Sequence, residues 1–144
     1  MRMILLLLLP IVSLGFAPAP VFRERPNDPD AVLHRLQGGW RGVSYQHGGQ
    51  NQMVGTPFRV HLEKDRWRFF VGTPSSQTNV YTITLDTKAN PMRIEWRTNG
   101  TSLLGLFELA GDRLRYSFRT SKEYPRSLTA PDPDDWVIEV EREK

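Results

Sequence analysis

The chain has 144 residues, the size of one domain, and its composition of 39% hydrophobic and 24% charged residues excludes a disordered or membrane-spanning chain. The formal net charge is +3 without any block of five or six like charges, so we interpret the cations as a solvated face and expect no nucleic-acid partner. The sequence has no Cys, which excludes a disulfide framework, a Cys-based metal site, a catalytic thiol and a lipoprotein anchor.

The N-terminal residues have the order of a secretory signal peptide. A cationic start at 1–3 precedes an apolar run at 4–12, and small residues follow. The run is shorter than the roughly 20 residues that a spanning helix needs, so we expect no transmembrane span in the mature chain. We predict a signal peptide at 1–19 and export to the periplasm or the exterior. Pro follows both Ala17 and Ala19, which leaves the cleavage point open and retention by an uncleaved leader as an alternative.

A linker and a short helix follow the leader. Residues 20–29 are rich in Pro and charge, which predicts an extended linker. Asp28 suits the N-cap position, Pro29 the first helical position and Gly38 the end of the last turn. We therefore predict a helix over 30–37.

The apolar period changes from helical to two after this helix. Turn residues such as Asn99-Gly100 separate runs in which apolar and polar residues alternate, which is typical of hairpins with one buried face. Closing such strands into a barrel removes the exposed edges of an open sheet. The sequence therefore predicts an all-β domain over 30–144, an eight-stranded antiparallel up-and-down barrel with strands at 40–47, 58–63, 66–71, 79–86, 92–98, 102–109, 113–119 and 136–142.

Two stretches depart from simple alternation. Residues 103–109 are apolar on both faces, and we expect the N-terminal helix to cover their outer side. Residues 120–135 form a long irregular connection, which we predict to cover one end of the barrel as a lid.

The segment Gly38-Gly39-Trp40 opens the first strand directly after the predicted helix and resembles the Gly-x-Trp signature of lipocalins and other calycins. The resemblance implies that the Trp closes the base of the barrel and that a cation near the end of the last strand stacks across it. Arg142 stands at that position. Gly38, Trp40 and Arg142 are therefore the expected structural base.

A second resemblance covers nearly all of residues 33–142. The segments 36–40, 90–94, 104–114 and 124–126 are similar to a lipocalin-like domain family abundant in planctomycete bacteria, whose members often follow signal peptides. The chain departs from the family's pattern by an Asn-Pro-Met strand entry and by Phe in place of a Tyr. The family has no established function, so the resemblance implies a fold and a compartment and no activity.

Motifs for catalysis or metal binding are missing from the sequence. The three histidines, His34, His47 and His61, lack ligand spacing, so we expect no metal. The acidic segment 132–135 lacks the spacing of a Ca²⁺ loop and is interpreted as a solvated turn. No nucleophile–base pair or cofactor motif is present, so we expect neither a cofactor nor enzymatic activity, and no catalytic residue is predicted.

The aromatic face is the feature with functional potential. An eight-stranded barrel is just wide enough to be filled by its side chains or to hold one small ligand. One hypothesis is a small, mostly apolar ligand inside the barrel or at its open end. Its candidate binding residues are Trp67, Phe69, Tyr81, Trp96, Tyr116, Phe118 and Trp136, with Phe58 completing the aromatic face.

The alternative is a filled barrel that acts as an envelope-structural or protein-interaction module. Its partner would be an envelope protein. The Arg-rich face of Arg113, Arg115 and Arg119 and the loops 73–78 and 120–135 would contact that partner.

Overall fold

The computed structural model describes residues 27–73 and 77–144. The predicted signal peptide at 1–19 and the predicted linker up to residue 26 lie outside the described residues, as does the centre of the predicted loop 73–78. Within the described part of the chain, no helix reaches the length and apolarity that a membrane crossing needs.

The described residues form one helix and nine antiparallel strands. The helix, α1, spans Pro29–Leu36 and ends one residue before the predicted end; Asp28 is at the N-cap position, although its carboxylate makes no capping hydrogen bond. The strands are β1 Gly38–His47, β2 Gln50–Asn51, β3 Phe58–Glu63, β4 Arg66–Val71, β5 Gln77–Asp86, β6 Met92–Thr98, β7 Thr101–Ala110, β8 Arg113–Arg119 and β9 Trp136–Arg142.

Eight of the described strands close into a barrel. From β3 to β9 each strand pairs antiparallel with its successor, β3 also pairs with β1, and β9 returns to pair with β1. The closing register runs from Trp40 opposite Arg142 to His47 opposite Trp136. The short β2 pairs only with the last residues of β1 and is not one of the strands that form the barrel wall. The predicted all-β, eight-stranded up-and-down barrel of the lipocalin-like kind is confirmed.

A β-bulge divides β1 into two parts with opposite alternation. The register against β9 shifts between Gly42 and Ser44, and the side chain between them, Val43, is exposed. Trp40 faces the interior before the bulge, and Tyr45 packs against the core after it. An added residue in one strand moves every later side chain of that strand to the other face. In β1 the even-numbered residues therefore face the interior before the bulge, and the odd-numbered residues face it after the bulge.

Helix α1 closes one end of the barrel, which we call the base. Val32 and Leu36 of the helix are buried in the same core cluster as Trp40, Leu62 and Leu114. The helix lies against the end of β5 and not against the outer side of β7. The opposite end of the barrel, which we call the mouth, has no helix in the described residues.

The outer side of β7 is covered by the connection 120–135, so the expectation that the helix covers it is wrong. Leu106, Ser117 and Val137 are paired neighbours on β7, β8 and β9, and all three are buried although they face outward. Outward-pointing Arg93 on β6 lies 4.8 Å from the ring centroid of Tyr124, which belongs to the connection. The connection therefore runs along the outer wall and is not a lid over one end.

Arg119, the last residue before this connection, binds the connection's C-terminal end. Its Nε donates to Asp135 at 2.7 Å and its Nη2 to Asp132 at 2.6 Å. The Asp135 side chain is 0% exposed and that of Arg119 14%. The interpretation of 132–135 as a solvated turn is therefore wrong for Asp135, and Arg119 is not part of a free cationic face.

Candidate ligand site

At the base of the barrel, an arginine of the last strand stacks on a tryptophan of the first strand. The guanidinium carbon of Arg142 lies 4.3 Å from the ring centroid of Trp40, whose side chain is fully buried. The indole Nε1 of Trp40 donates to the carbonyl of Leu36 at 2.9 Å, and Nη1 of Arg142 donates to the carbonyl of Gln37 at 2.8 Å. Gly38 has φ +98°, which favours glycine, at the start of this strand. The structure thus brings together the predicted base residues Gly38, Trp40 and Arg142.

A cavity of about 80 Å³ lies toward the mouth and is partly open to solvent. Its wall takes residues from β1, β4, β5, β6, β7, β8 and β9. The lining side chains are Tyr45, Trp67, Phe69, Asn79, Tyr81, Trp96, Leu103, Tyr116, Phe118 and Ile138. Among these described residues, none carries a charged side chain.

The structure brings six of the seven predicted ligand residues to this cavity: Trp67, Phe69, Tyr81, Trp96, Tyr116 and Phe118. Trp136 does not line it. The Trp136 ring instead stacks on His47, with centroids 4.2 Å apart, and lies parallel to Phe118 at 6.2 Å. Trp136 is therefore a rim residue of the mouth.

Four lining residues were missed by the sequence reasoning: Tyr45, Asn79, Leu103 and Ile138. Tyr45 reaches the interior only because of the bulge at Val43, and no residue pattern signals that bulge. Asn79 faces inward because it is two residues before Tyr81 on the same strand, a signal that was available from the alternation.

The aromatic rings that line the cavity also pack against one another, and the cavity is the space that this packing leaves open. The Tyr116 ring lies 5.2 Å from Trp67 at 86° and 5.5 Å from Trp96 at 48°. Trp67 and Trp96 also meet edge to face at 5.7 Å. A Cβ on Gly105 would lie 2.5 Å from the Trp96 ring, so the indole packs directly on the backbone of β7. These contacts hold the wall of the cavity in one arrangement.

Three phenol groups face each other across the cavity. Burial raises the pKa of Tyr116 well above its usual value of 10, and the nearby phenols of Tyr45 and Tyr81 raise it further. Burial also raises the pKa of Tyr45 and of Tyr81. At neutral pH all three groups are therefore protonated O–H donors. None of the side-chain hydrogen bonds found within 27–73 and 77–144 involves these hydroxyls.

The described histidines and acidic residues do not assemble a metal site. In the described segments, no group of three or more His, Cys, Asp or Glu side chains has a geometry that holds a metal ion. His34 is exposed on α1, His47 lies on Trp136, and His61 is on the outer face of β3.

A recess on the outer surface near the base is lined by charged side chains, and most of its arginines form ion pairs with neighbouring glutamates. It is lined by arginines from β1, β3, β8 and β9. Arg59 pairs with Glu143 at 3.0 Å, Arg113 pairs with Glu139 at 2.9 Å, and Arg41 pairs with Glu141. An anionic partner would have to compete with these glutamates for the arginines.

Comparison of the chain with protein-family models, with curated proteins and with solved structures gave no match.

Proposed function

We propose that this protein is an exported, non-enzymatic barrel that binds a small molecule through the cavity at its mouth. One observation carries the proposal: a partly open cavity is lined by seven aromatic side chains, and three of them, the tyrosines, carry hydroxyl groups that make no hydrogen bond to the described residues. An apolar pocket with a few convergent polar groups is the usual form of a small-molecule site.

The size of the cavity limits what enters. A water molecule occupies about 30 Å³ in the liquid, so a cavity of about 80 Å³ takes the volume of roughly three waters. About four non-hydrogen atoms of a ligand fit that volume. At a ceiling of about 1.5 kcal/mol per atom they contribute at most roughly 6 kcal/mol, which corresponds to a dissociation constant in the tens of micromolar. Tighter binding needs contacts between the remainder of the ligand and the rim.

Export is the second part of the proposal. It is supported by the leader sequence at 1–19 and by the resemblance to planctomycete lipocalin-like domains that follow signal peptides. Mass spectrometry of the protein from its host tests this part. A mature chain that begins between residues 16 and 20 in the extracytoplasmic fraction is expected, and an intact chain with Met1 in the cytoplasm contradicts it.

The alternative module that contacts an envelope protein through its Arg-rich face has less support. Arg113 pairs with Glu139, and Arg119 pairs with Asp132 and Asp135. A partner would have to break these pairs or find compensating contacts, which costs binding free energy.

Native mass spectrometry tests ligand binding with a matched pair of variants. Leu103→Phe adds volume at the cavity wall, whereas Val43→Phe adds an even larger volume at the exposed bulge of β1, outside the cavity. We expect protein purified from its host to carry a small molecule that Leu103→Phe loses and Val43→Phe retains. A mass without adduct for the wild type, together with unchanged fluorescence of Trp67 and Trp96 across a fragment library, contradicts the proposal.

A further inference from the structure

The cavity has an excess of hydrogen-bond donors. Tyr45, Tyr81 and Tyr116 come from β1, β5 and β8, no two of which are neighbours in the barrel, so their hydroxyls converge from different sides. Asn79 supplies the one lining side-chain carbonyl among the described residues. The cavity is partly open, so water can reach these hydroxyls, and a ligand that displaces this water has to bring an acceptor to replace the lost hydrogen bonds.

The lining discriminates against a charged ligand group. No charged side chain lines the cavity within the described residues, so a buried carboxylate or ammonium would lose its hydration without gaining an opposite charge. The aromatic faces attract cations, but this attraction is smaller than the cost of burying an unpaired charge. The acceptor is therefore part of a neutral group.

The rim favours a flat continuation of the ligand. Trp136 and Phe118 lie parallel at the mouth, with an angle of 10° between their rings. The Trp136 ring also stacks on His47, so the rings of this pair turn their edges toward the cavity opening, and a ring of the ligand packs against these edges while a group of about four atoms enters the cavity.

We propose that the ligand is a neutral aryl carbonyl compound, whose carbonyl oxygen accepts hydrogen bonds from Tyr116 and its two neighbouring phenols while its ring lies at the rim. This inference rests on the proposed function and specifies the chemistry of the same site. It requires no chemical step: the ligand is held through hydrogen bonds and apolar contact alone.

Four small probes of similar shape separate the possible chemistries. Acetophenone carries a neutral carbonyl, cumene replaces that group with an apolar one of similar size, benzoate is anionic and phenyltrimethylammonium is cationic. Their binding to the full chain is measured by ligand-observed NMR and by the tryptophan fluorescence, to which Trp67 and Trp96 in the cavity wall contribute. We expect acetophenone to bind about tenfold more tightly than cumene, and both ions to bind more weakly than acetophenone.

Two Tyr→Phe variants identify the donor. Tyr116→Phe is expected to weaken acetophenone about tenfold and to leave cumene unchanged, because it removes the donor and keeps the ring. Tyr124→Phe is the matched control on the outer wall and is expected to change neither affinity. Tyr81→Phe repeats the test at a less buried position, should Tyr116→Phe fail to fold.

The outcomes separate the two proposals. Equal affinities of acetophenone and cumene, or no effect of Tyr116→Phe, overturn the carbonyl inference and leave the binding function standing. Preferential binding of phenyltrimethylammonium overturns the inference in favour of an aromatic cage for cations. No binding of any probe at millimolar concentration, together with no co-purified ligand, overturns both.

Discussion

The guanidinium of Arg142 lies over the indole of Trp40, with 4.3 Å between its central carbon and the ring centroid, at the end of the barrel opposite the cavity. The same guanidinium bonds the carbonyls of Gln37 and Arg35. The last strand is thereby connected to the first strand and to the C-terminal end of α1. These contacts close the described part of the barrel at its base, at the end opposite the cavity.

Trp40→Ala is predicted to lower the free energy of unfolding by about 3–5 kcal/mol, because it removes a fully buried aromatic side chain and the ring under Arg142. Arg142→Met keeps an apolar stem and is predicted to cost less, about 1–3 kcal/mol, for the lost stack and charged hydrogen bonds. Urea denaturation measures both changes. An unchanged melting temperature for Trp40→Ala would refute its role at the base.

Gly105→Ala is predicted to destabilise the barrel by about 1–3 kcal/mol and to shift the tryptophan emission. The new Cβ would lie 2.3 Å from the carbonyl oxygen of Ser117 and 2.5 Å from the Trp96 ring, so either the backbone or the indole has to move. Denaturation and emission spectra are the measurements.

Gly39→Ala is the matched control for the Gly105 variant. A Cβ there would lie 2.6 Å from the carboxylate oxygen of Glu143, the far end of a flexible side chain that can turn away. We expect a stability change below about 1 kcal/mol and an unchanged spectrum. Equal destabilisation by both alanines would mean that packing of Trp96 on Gly105 is not the cause.

The alternation of apolar and polar residues predicts most of the barrel, because one buried face per strand requires it. Phe69, Tyr81 and Trp96 reach the cavity as that alternation predicts. Tyr45 does not follow from it, since the bulge at Val43 is imposed by the pairing of β1 with β9, and that pairing joins residues far apart in the chain.

The cover over β7 illustrates a second limit. Because apolar Leu106 points outward from β7, some segment has to cover it, but the residue pattern does not identify which segment does so. The connection 120–135 has no regular apolar period, and it supplies Pro125 and Leu128 as isolated buried residues. A segment without secondary structure gives no periodic signal for its buried side.

Ser117→Ala is predicted to raise the free energy of unfolding by about 1 kcal/mol. The Ser117 side chain is 0% exposed beneath the connection, and its hydroxyl has no hydrogen-bond partner among the described protein atoms. Removing a buried hydroxyl without a partner relieves its desolvation cost. Urea denaturation tests this, and a loss of stability would indicate that the hydroxyl is satisfied by an internal water.

Asp135→Asn is predicted to lower the free energy of unfolding by about 2–4 kcal/mol and to make the connection 120–135 more susceptible to proteolysis. The change removes the charge that pairs with Arg119, in a position where the acidic side chain is fully buried. Asp134→Asn is the exposed control and is predicted to cost less than about 0.5 kcal/mol. Similar cleavage rates for the two variants would contradict the anchoring role of Asp135.

The buried phenol of Tyr116 predicts a loss of stability at alkaline pH. Below pH 10 the side chain is protonated in both the folded and the unfolded chain, so it contributes no pH dependence. Above pH 10 the unfolded chain loses the proton, whereas the raised pKa keeps Tyr116 protonated in the barrel. The unfolded state therefore binds fewer protons, and the stability decreases as pH rises from 10 toward 12.

Tyr116→Phe is expected to remove part of this decrease. Relative to its own stability at pH 8, the variant should lose about 1.4 kcal/mol less than the wild type at pH 11, because one group with a raised pKa accounts for that amount per pH unit. Tyr45 and Tyr81 also have raised pKa values, so a smaller slope remains in the variant. Urea denaturation at both pH values measures the difference. Parallel pH profiles for the two proteins would mean that Tyr116 ionises as readily in the folded barrel as in the unfolded chain, which would contradict its burial inside the barrel.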